Sequence, residues 1–516
     1  FQLRQLISEL GAEAEAAPQP GELPLHVAFA KRAKRHPFAV TYLDADGTKL
    51  TNFEMLVRAA LLSRRVRALG TESRYIGVLL PNCTSMAAAM FGVLFAGRTP
   101  AVINFSAGAE VALEAASRAG IGKILTSRKF LHKLGWEEKP GMVILEDEAK
   151  KITKSEKRAM IRLVLLLPFR MLMRRLAPES AFNAGREAVL LFSSGSTGRP
   201  KAVQLTHRNI NCDLWAFWRM ILWSRRDRIV GNLPLFHAYG FTVEFAFPAL
   251  SGTPVVYLPN PLDAAGVVKA IDEYDILTAT PTFLQGYMRK AKPEQLKSLR
   301  LVITGAEKLR PELAAKFRDM TGLEIIEGYG CTELSPIVTI NLCNSIYLLG
   351  RHAHHPGSIG IPLPGIHVRV VDPESGVELG PDEPGLMQVR GGIVMKGYLN
   401  DPEQTARVIQ NGYYNTGDIA RIDRDGYVYI TGRPSRFSKI GGEMVPHELV
   451  EQAIANLRGS EEREVAVAGR GDPKRGERLV VFYTPDGFDP AAVVEELRKE
   501  KLPNLWIPKT EDFVKL

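Results

Sequence analysis

Apolar, strand-like runs alternate with helix-like stretches along most of this 516-residue chain, and that alternation restricts its possible folds more than any other feature. Short runs rich in Val, Ile and Leu are typical of strands that are buried on both faces and covered by intervening helices. Seven runs have this character: YIGVLLP (75–81), TPAVINF (99–105), KILTS (123–127), EAVLLFSS (187–194), DRIVGNLP (227–234), TPVVYLP (253–259) and LRLVITG (299–305). The pattern predicts a layered α/β fold.

The pattern changes after about residue 356. Short alternating strands with Gly, Asp and Pro turns (HVRVVDP, GLMQVRG, GYVYITG) predict an antiparallel β-rich subdomain. Beyond GRPSR (432–436), the helix-like HELVEQAIANL and the strand-like REVAVAGR and ERLVVFYTP predict a small α+β module. We therefore expect a large N-terminal α/β domain over 1–432, a hinge near Arg433, and a small mobile domain over 433–516.

The average composition excludes several classes of protein. With 45% hydrophobic and 24% charged residues, the chain is neither disordered nor fibrous. Its four cysteines show no CxxC spacing, which predicts a reducing compartment rather than a disulfide framework or a zinc site. No run reaches the ~20 apolar residues that cross a bilayer. We expect a cytoplasmic protein.

The formal charge of +9 is concentrated in one segment, 150–176, with the sequence KKITKSEKRAMIRLVLLLPFRMLMRRL. Its nine cations face only Glu156, which gives +8, and Pro168 is expected to divide the helix around its apolar centre. Cations around an apolar centre are typical of a helix that lies on anionic lipid, here the inner face of a membrane. An acidic carrier protein as the partner, or a packed basic helix, are the alternatives. The segment is leucine-rich and lacks interleaved aromatics, so we expect no nucleic-acid partner.

A Gly- and Ser-rich loop follows the predicted strand 187–194. Small residues let backbone N–H groups approach an anion closely, hydroxyls add donors, and a lysine supplies charge. The Gly–Lys dipeptide of a Walker A loop is absent. An ordinary turn is the alternative, but the strand before the loop and the lysine after it favour phosphate binding. The candidate residues are Ser193, Ser194, Gly195, Ser196, Thr197, Gly198 and Lys201.

Two further segments carry side chains that suit a nucleotide. In EGYGCTE (327–333), Tyr329 can present a ring face to a base, Thr332 offers a hydroxyl, and Glu333 offers a hard oxygen ligand for Mg²⁺. In YNTGD (414–418), Asp418 can hold both hydroxyls of a ribose. Taken singly, the first segment is also compatible with a β-turn around a buried tyrosine, and the second with an ordinary Asx-turn.

Together and in this order, these segments resemble the signature motifs of the adenylate-forming superfamily of acyl-CoA synthetases, luciferases and peptide-synthetase adenylation domains. The resemblance runs from about residue 25 to the end of the chain and implies an ATP- and Mg²⁺-dependent, AMP-forming acid–thiol ligase. Segments 232–263, 280–291, 301–309 and 436–445 are similar to the synthetase half of bifunctional acyl-acyl carrier protein synthetase/2-acylglycerophosphoethanolamine acyltransferases.

The resemblance implies a role for each matching residue. The loop from Ser193 to Lys201 would hold the β- and γ-phosphates of ATP, and His237 would border the acyl pocket, with a hydrogen-bonded core histidine as the alternative. Lys439 lies in the loop that would swing toward the thiol tunnel. The remaining roles fall to Gly305, Ala306, Glu307, Tyr329 and Gly330 around adenine, Thr332 at the α-phosphate, Glu333 on Mg²⁺, and Asp418 with Arg433 at the ribose.

The resemblance predicts activation of a fatty acid to acyl-AMP and its transfer to the phosphopantetheine thiol of acyl carrier protein, in support of phospholipid acylation. The late Gly–Lys motif of the superfamily would fall beyond Leu516, so we expect its catalytic lysine outside this chain and the small domain to be truncated. A long-chain fatty acyl-CoA synthetase carries the same motifs and is the alternative enzyme. A non-catalytic membrane scaffold that binds nucleotide or acyl chains is the alternative of another class.

Overall fold

The computed structural model describes residues 23–194, 200–221, 223–224, 226–342, 354–432, 437–440, 443–458, 464–472, 476–484, 488–500 and 506–516. The chain divides into two compact units, Phe1–His367 with Val389–Tyr414 and Val368–Gln388 with Asn415–Leu516. The predicted boundary at Arg433 falls in 433–436, outside the described residues, and stays a prediction.

Several helices begin where a threonine supplies the cap. Thr51, Thr153 and Thr206 each form a capping box, in which the threonine side chain and the residue three positions later satisfy each other's backbone N–H groups. The helices are α1 Leu25–Arg35, α2 Asn52–Arg67, α3 Thr84–Phe95, α4 Ala109–Arg118, α5 Arg128–Leu134, α6 Leu145–Lys150, α7 Lys154–Leu166, α8 Phe169–Leu176, α9 His207–Met220, α10 Ala238–Gly240, α11 Phe247–Ser251, α12 Ala264–Ile271, α13 Pro281–Lys290, α14 Pro311–Thr321, α15 Pro402–Val408, α16 His447–Arg458 and α17 Pro490–Lys499. A π-helical turn, Phe241–Ala246, joins α10 to α11.

A seven-stranded sheet in the first unit has the order β18-β8-β7-β4-β3-β5-β6. The five strands from β7 to β6 are parallel, and β8 and β18 continue the sheet antiparallel. Its strands are β3 Tyr75–Leu79, β4 Thr99–Val102, β5 Ile124–Thr126, β6 Met142–Ile144, β7 Glu187–Ser194, β8 Pro200–Thr206 and β18 Gly397–Tyr398.

A nine-stranded sheet in the same unit has the order β15-β14-β13-β12-β11-β9-β10-β1-β2. Neighbours from β13 to β1 are parallel, whereas β2, β14 and β15 pair antiparallel at the two edges. Its strands are β1 Val40–Asp44, β2 Lys49–Thr51, β9 Ile229–Gly231, β10 Val255–Tyr257, β11 Ile276–Ala279, β12 Leu301–Thr304, β13 Ile326–Gly330, β14 Ile337–Asn341 and β15 Ile361–Pro362. All seven predicted strands are present in these two sheets, which confirms the layered α/β class.

Aromatic side chains cluster around α3. Phe91 of α3 stacks on Phe29 of α1 with ring centroids 4.2 Å apart, and it lies 4.8 Å from Phe245 in the π-helical turn. Tyr42 of β1 meets both Phe29 and Phe91 edge to face. Such rings bury large apolar areas, so this cluster fixes the π-helical turn against both α1 and α3.

Antiparallel strands dominate the rest of the chain, as predicted. One sheet has the order β16-β17-β20-β19 with β21 on β20, and another has the order β23-β22-β25-β24 with β26 on β25. The strands are β16 Ile366–Val371, β17 Gly385–Gly391, β19 Ile409–Gln410, β20 Tyr413–Ile422, β21 Val428–Gly432, β22 Phe437–Ile440, β23 Glu443–Pro446, β24 Val465–Asp472, β25 Gly476–Tyr483 and β26 Phe513–Lys515.

The basic segment forms two helices rather than one. Helix α7 ends at Leu166, and Pro168 is the N-cap of α8, so the proline divides the helix as expected. Among the described residues, no helix is both long and apolar enough to cross a membrane.

Two buried histidines tie α1 to α9. His26 and His207 are 1% and 2% exposed, and their ring centroids lie 5.5 Å apart. Burial, with a contribution from Arg186, lowers the pKa of His26 to about 3, and burial lowers the pKa of His207 well below its usual value. Both rings therefore stay neutral in the folded protein across the pH range in which an unfolded histidine takes up a proton.

This pair predicts acid sensitivity. A histidine whose folded pKa is depressed stabilises the fold fully above pH 6.5, and that stability is lost as the pH falls from 6.5 toward 3, by about 1.4 kcal/mol per pH unit for each ring. We expect the midpoint of thermal unfolding to fall between pH 7 and pH 5, and to fall less in His26→Leu. The exposed His132 gives the control, His132→Gln. An equal fall in wild type and His26→Leu would contradict the assignment.

Candidate functional site

The predicted phosphate loop begins where β7 leaves the seven-stranded sheet. Residues 188–192 are buried in the sheet, and Ser193 lies directly opposite Lys201 of β8. Cross-strand partners project on the same face, so the Ser193 hydroxyl and the Lys201 ammonium group emerge side by side. Gly195, Ser196, Thr197 and Gly198 lie outside the described residues, as does the side chain of Ser194.

Glu333 is the residue on which this face converges. Its side chain is 8% exposed, on a 3₁₀ turn Thr332–Leu334. Carboxylate Oε1 accepts a hydrogen bond from the Ser193 hydroxyl at 3.3 Å and from the Tyr398 hydroxyl at 3.0 Å. The structure thus brings together Ser193 and Glu333, which are 140 residues apart in sequence.

Two tyrosines, Tyr398 and Tyr414, lie behind Glu333 and were not predicted from the sequence. Tyr398 lies on β18, and its hydroxyl accepts a hydrogen bond from Tyr414 while it donates to Glu333. Burial and the nearby Glu333 carboxylate raise the pKa of Tyr398, so its hydroxyl stays a donor. The Lys201 Nζ lies 5.1 Å from the Tyr398 ring centroid, within range of a cation–π contact. The only sequence signal for this role is the Gly–Tyr pair in the predicted β-rich region.

The Glu333 carboxylate suits a hard cation. Within the described part of the chain, its second oxygen, Oε2, makes no hydrogen bond. No group of three or more His, Cys, Asp or Glu side chains that could hold a metal ion occurs among the described residues. Mg²⁺ usually binds one or two carboxylates together with water and substrate phosphates, so a single glutamate beside a phosphate loop fits that ion.

The residues expected around adenine lie at the ends of β12 and β13. Gly305 follows β12, and a Cβ there would sit 3.1 Å from the Gly328 carbonyl oxygen, so these two backbones approach closely. Ala306 has a φ of 69°, and the exposed Glu307 accepts a hydrogen bond from the Thr282 hydroxyl at 2.5 Å. Tyr329 is half-buried on β13, opposite Thr339.

Gly330 closes the turn that leads to Thr332 and Glu333. A Cβ at this position would overlap the Pro336 carbonyl oxygen, and the Cys331 N–H donates to that same oxygen at 3.2 Å. Any side chain at Gly330 would therefore push apart the two arms of the turn.

His237 is the N-cap of α10, in the connection that follows β9. The residue is exposed, its ring is tilted 58° against Phe236 with the ring centroids 4.6 Å apart, and the ring makes no hydrogen bond among the described residues. Desolvation lowers the pKa of His237. Among the described residues, His237 is therefore not a hydrogen-bonded core histidine, and its ring is open to a ligand.

A buried carboxyl, which the sequence analysis did not single out, positions the loop before His237. Glu244, in the π-helical turn, is fully buried and accepts the Leu233 N–H at 3.0 Å and the Thr278 hydroxyl at 2.8 Å. Burial raises its pKa well above the usual range. These bonds fix Leu233 between β9 and the turn, four residues before His237.

Asp418 belongs to the second unit. It is 3% exposed on β20, directly after Gly417 with a φ of 71°, and its N–H donates to the Thr416 hydroxyl at 3.1 Å. Lys439 is on β22, opposite Met444, but its side chain lies outside the described part, as does all of Arg433. The roles of these three residues stay predictions.

The close approach at Gly330 predicts a large effect from one methyl group. We expect Gly330→Ala to lower the midpoint of thermal unfolding by several degrees, since about 1–3 kcal/mol is typical of overpacking. Gly286, in α13, has open space around its Cα, and Gly286→Ala should be neutral or stabilising. Equal melting temperatures for the two variants would contradict the geometry.

Comparison with known proteins agrees with these motifs. The AMP-binding enzyme family model matches residues 29–399. The long-chain-fatty-acid–CoA ligase of Bacillus subtilis (strain 168) is 29% identical over 548 aligned residues, which cover 96% of this chain and 93% of that protein.

Two solved structures share the fold. The ATP-bound MatB of Rhodopseudomonas palustris superposes with a TM-score of 0.76 at 22% identity, covering 96% of this chain and 95% of that one. The o-succinylbenzoate CoA synthetase (MenE) of Bacillus subtilis, in complex with the acyl-adenylate intermediate OSB-AMP, has a TM-score of 0.75 at 22% identity, covering 96% of this chain and 94% of that one. Both confirm the mixed α/β class. Since the family model spans more than half of the chain, this protein belongs to the AMP-binding enzyme family.

Proposed function

We propose that this protein activates a long-chain fatty acid with ATP, forming an acyl-adenylate, and passes the acyl group to the thiol of coenzyme A. The observation that carries the proposal is the convergence of Ser193, Lys201 and Glu333 beside the predicted phosphate loop. The substrate and the thiol are taken from the Bacillus subtilis ligase, which aligns with 96% of this chain.

In the proposed first step, a carboxylate oxygen attacks the α-phosphorus of ATP, and the bond from that phosphorus to the bridging oxygen breaks to release pyrophosphate. Two anions must approach each other, so the site has to supply positive charge and donors. Lys201 would neutralise phosphate oxygens, and the Thr332 hydroxyl would contact the α-phosphate. Mg²⁺, held by Glu333, would neutralise further phosphate charge when bound.

The hydrogen bonds to Glu333 give it a fixed orientation for this role. Tyr398 and Ser193 both donate to Oε1, which leaves Oε2 without a hydrogen bond among the described residues and so available to a cation. A carboxylate that is already oriented does not need to reorganise as charge moves toward the leaving pyrophosphate. In the second step the thiol sulfur attacks the acyl carbon and AMP leaves, with no covalent enzyme intermediate.

Acyl carrier protein is the second candidate acceptor. The similarity of 232–263 and three other segments to acyl-acyl carrier protein synthetases favours it, and it would link the product to phospholipid acylation. The relative named as a CoA ligase favours coenzyme A across a far longer alignment, so coenzyme A takes first place.

The role of Glu333 is tested by removing its charge while retaining its hydrogen bonds. In Glu333→Gln, an amide oxygen can still accept from Tyr398 and Ser193, but the cation loses its anionic ligand. We expect pyrophosphate release that depends on fatty acid to fall about 100-fold and the Mg²⁺ requirement to rise. Tyr398→Phe, which loses one hydrogen bond to a charged group, should cost about tenfold. An unchanged rate and Mg²⁺ dependence in Glu333→Gln would contradict the role.

The acceptor is tested by product analysis. The full-length protein is given palmitate, ATP and Mg²⁺ with either coenzyme A or acyl carrier protein bearing phosphopantetheine, and the thioester is measured by mass spectrometry. We expect palmitoyl-CoA. Thioester on the carrier protein alone would move that acceptor to first place, and an adenylate without any thioester would reject both.

A further inference from the structure

Helices α7 and α8 of the basic segment are each attached to the core along one side. Met160 and Val164 of α7, and Leu172 and Leu176 of α8, are buried. Each helix therefore packs one apolar side inward, while the residues on its other side face solvent.

Two cations on the neighbouring helices α1 and α2 cap these helices. Lys34 Nζ of α1 donates to the carbonyl oxygens of Val164 at 2.8 Å and Leu165 at 3.1 Å, at the end of α7. Arg67 of α2 donates to the Leu176 carbonyl oxygen at the end of α8. Positive charge is favourable at a helix C-terminus, so the turn between the two helices is held in place.

The outward side keeps three large apolar side chains in solvent. Leu165 is 61% exposed, Leu166 is 73% exposed, and Met171 is 54% exposed. They flank the turn at Pro168. Exposed apolar side chains grouped in this way mark an interaction surface rather than ordinary surface variation.

Exposed cations surround these side chains. At helical spacing, Arg158 and Arg162 precede the two leucines on α7, and Arg170, Arg174 and Arg175 share the outward side of α8 with Met171. Among the described residues, none of these five arginines is paired with a carboxylate. Lys150 and Lys151, by contrast, are paired with Asp147 and Glu148.

We propose that this surface, which we call the arginine–leucine turn (Arg158–Arg175), docks on an anionic lipid bilayer. Leu165, Leu166 and Met171 insert among the acyl chains near the headgroups, and the arginines bind lipid phosphates. An acidic protein would match the charge but would leave three apolar side chains against a polar partner. Arginines around three exposed apolar side chains therefore favour lipid over an acidic protein.

The test is co-sedimentation of the full chain with vesicles of phosphatidylcholine alone or with phosphatidylglycerol. Wild type should bind the anionic vesicles and lose binding in high salt. Each surface-proximal cation contributes about fivefold to the binding constant, so Arg170→Glu with Arg174→Glu should weaken binding by about 25-fold or more. The exposed pair Lys297→Glu with Lys316→Glu makes the same change in net charge elsewhere and should bind like wild type.

A second variant separates lipid from an acidic protein. Leu165→Ser with Leu166→Ser and Met171→Ser leaves every charge in place and should lose most vesicle binding, whereas Leu262→Ser, at another exposed leucine, should not. Thermal unfolding of each variant checks that it folds. Undiminished vesicle binding by the serine variant, or binding of acidic acyl carrier protein that only the glutamate variant loses, would overturn the proposal. None of these residues belongs to the candidate site, so the result is independent of the proposed activity.

Discussion

The candidate site depends on how one buried carboxylate is held. Glu333 receives hydrogen bonds from Ser193 at the end of β7 and from Tyr398 on β18, and its own backbone carbonyl accepts the Met395 N–H at 2.8 Å. The end of β7, the turn at Glu333 and the segment 395–398, which are distant in sequence within the first unit, therefore meet at this glutamate. A buried carboxylate is costly unless it is hydrogen-bonded, so these contacts stabilise the fold and orient the charge at once.

A buried carboxyl group also supports the candidate acyl pocket. Glu244 is buried behind the loop that leads to His237 and satisfies the Leu233 N–H, while His237 itself stays exposed. The aromatic cluster of Phe29, Phe91 and Phe245 supports the π-helical turn from the other side. Residues open to ligand thus rest on buried polar and aromatic contacts, as in other preorganised sites.

Much of this arrangement could be predicted from sequence, because strands, caps and motif turns are local patterns. EAVLLFSS forms a strand with the predicted bounds, whereas PEQLKSLR (293–300), which has a helix-like pattern, forms only a 3₁₀ turn, Pro293–Leu296. The partners of Glu333 could not be predicted, since Tyr398 is 65 residues away and no local pattern records a tertiary hydrogen bond. The same applies to the basic segment. Sequence gives its charge and the break at Pro168, but only packing against α1 and α2 shows which apolar side chains remain exposed.

The central claim is that the site transfers an adenylyl group to a fatty acid. Isotope exchange between labelled pyrophosphate and ATP, measured with the full-length protein in the absence of any thiol, tests it most directly because it reports the reversible first step alone. The account predicts that label enters ATP only when a long-chain fatty acid is present. Exchange that ignores fatty acid, or release of orthophosphate and ADP in place of exchange, would contradict it.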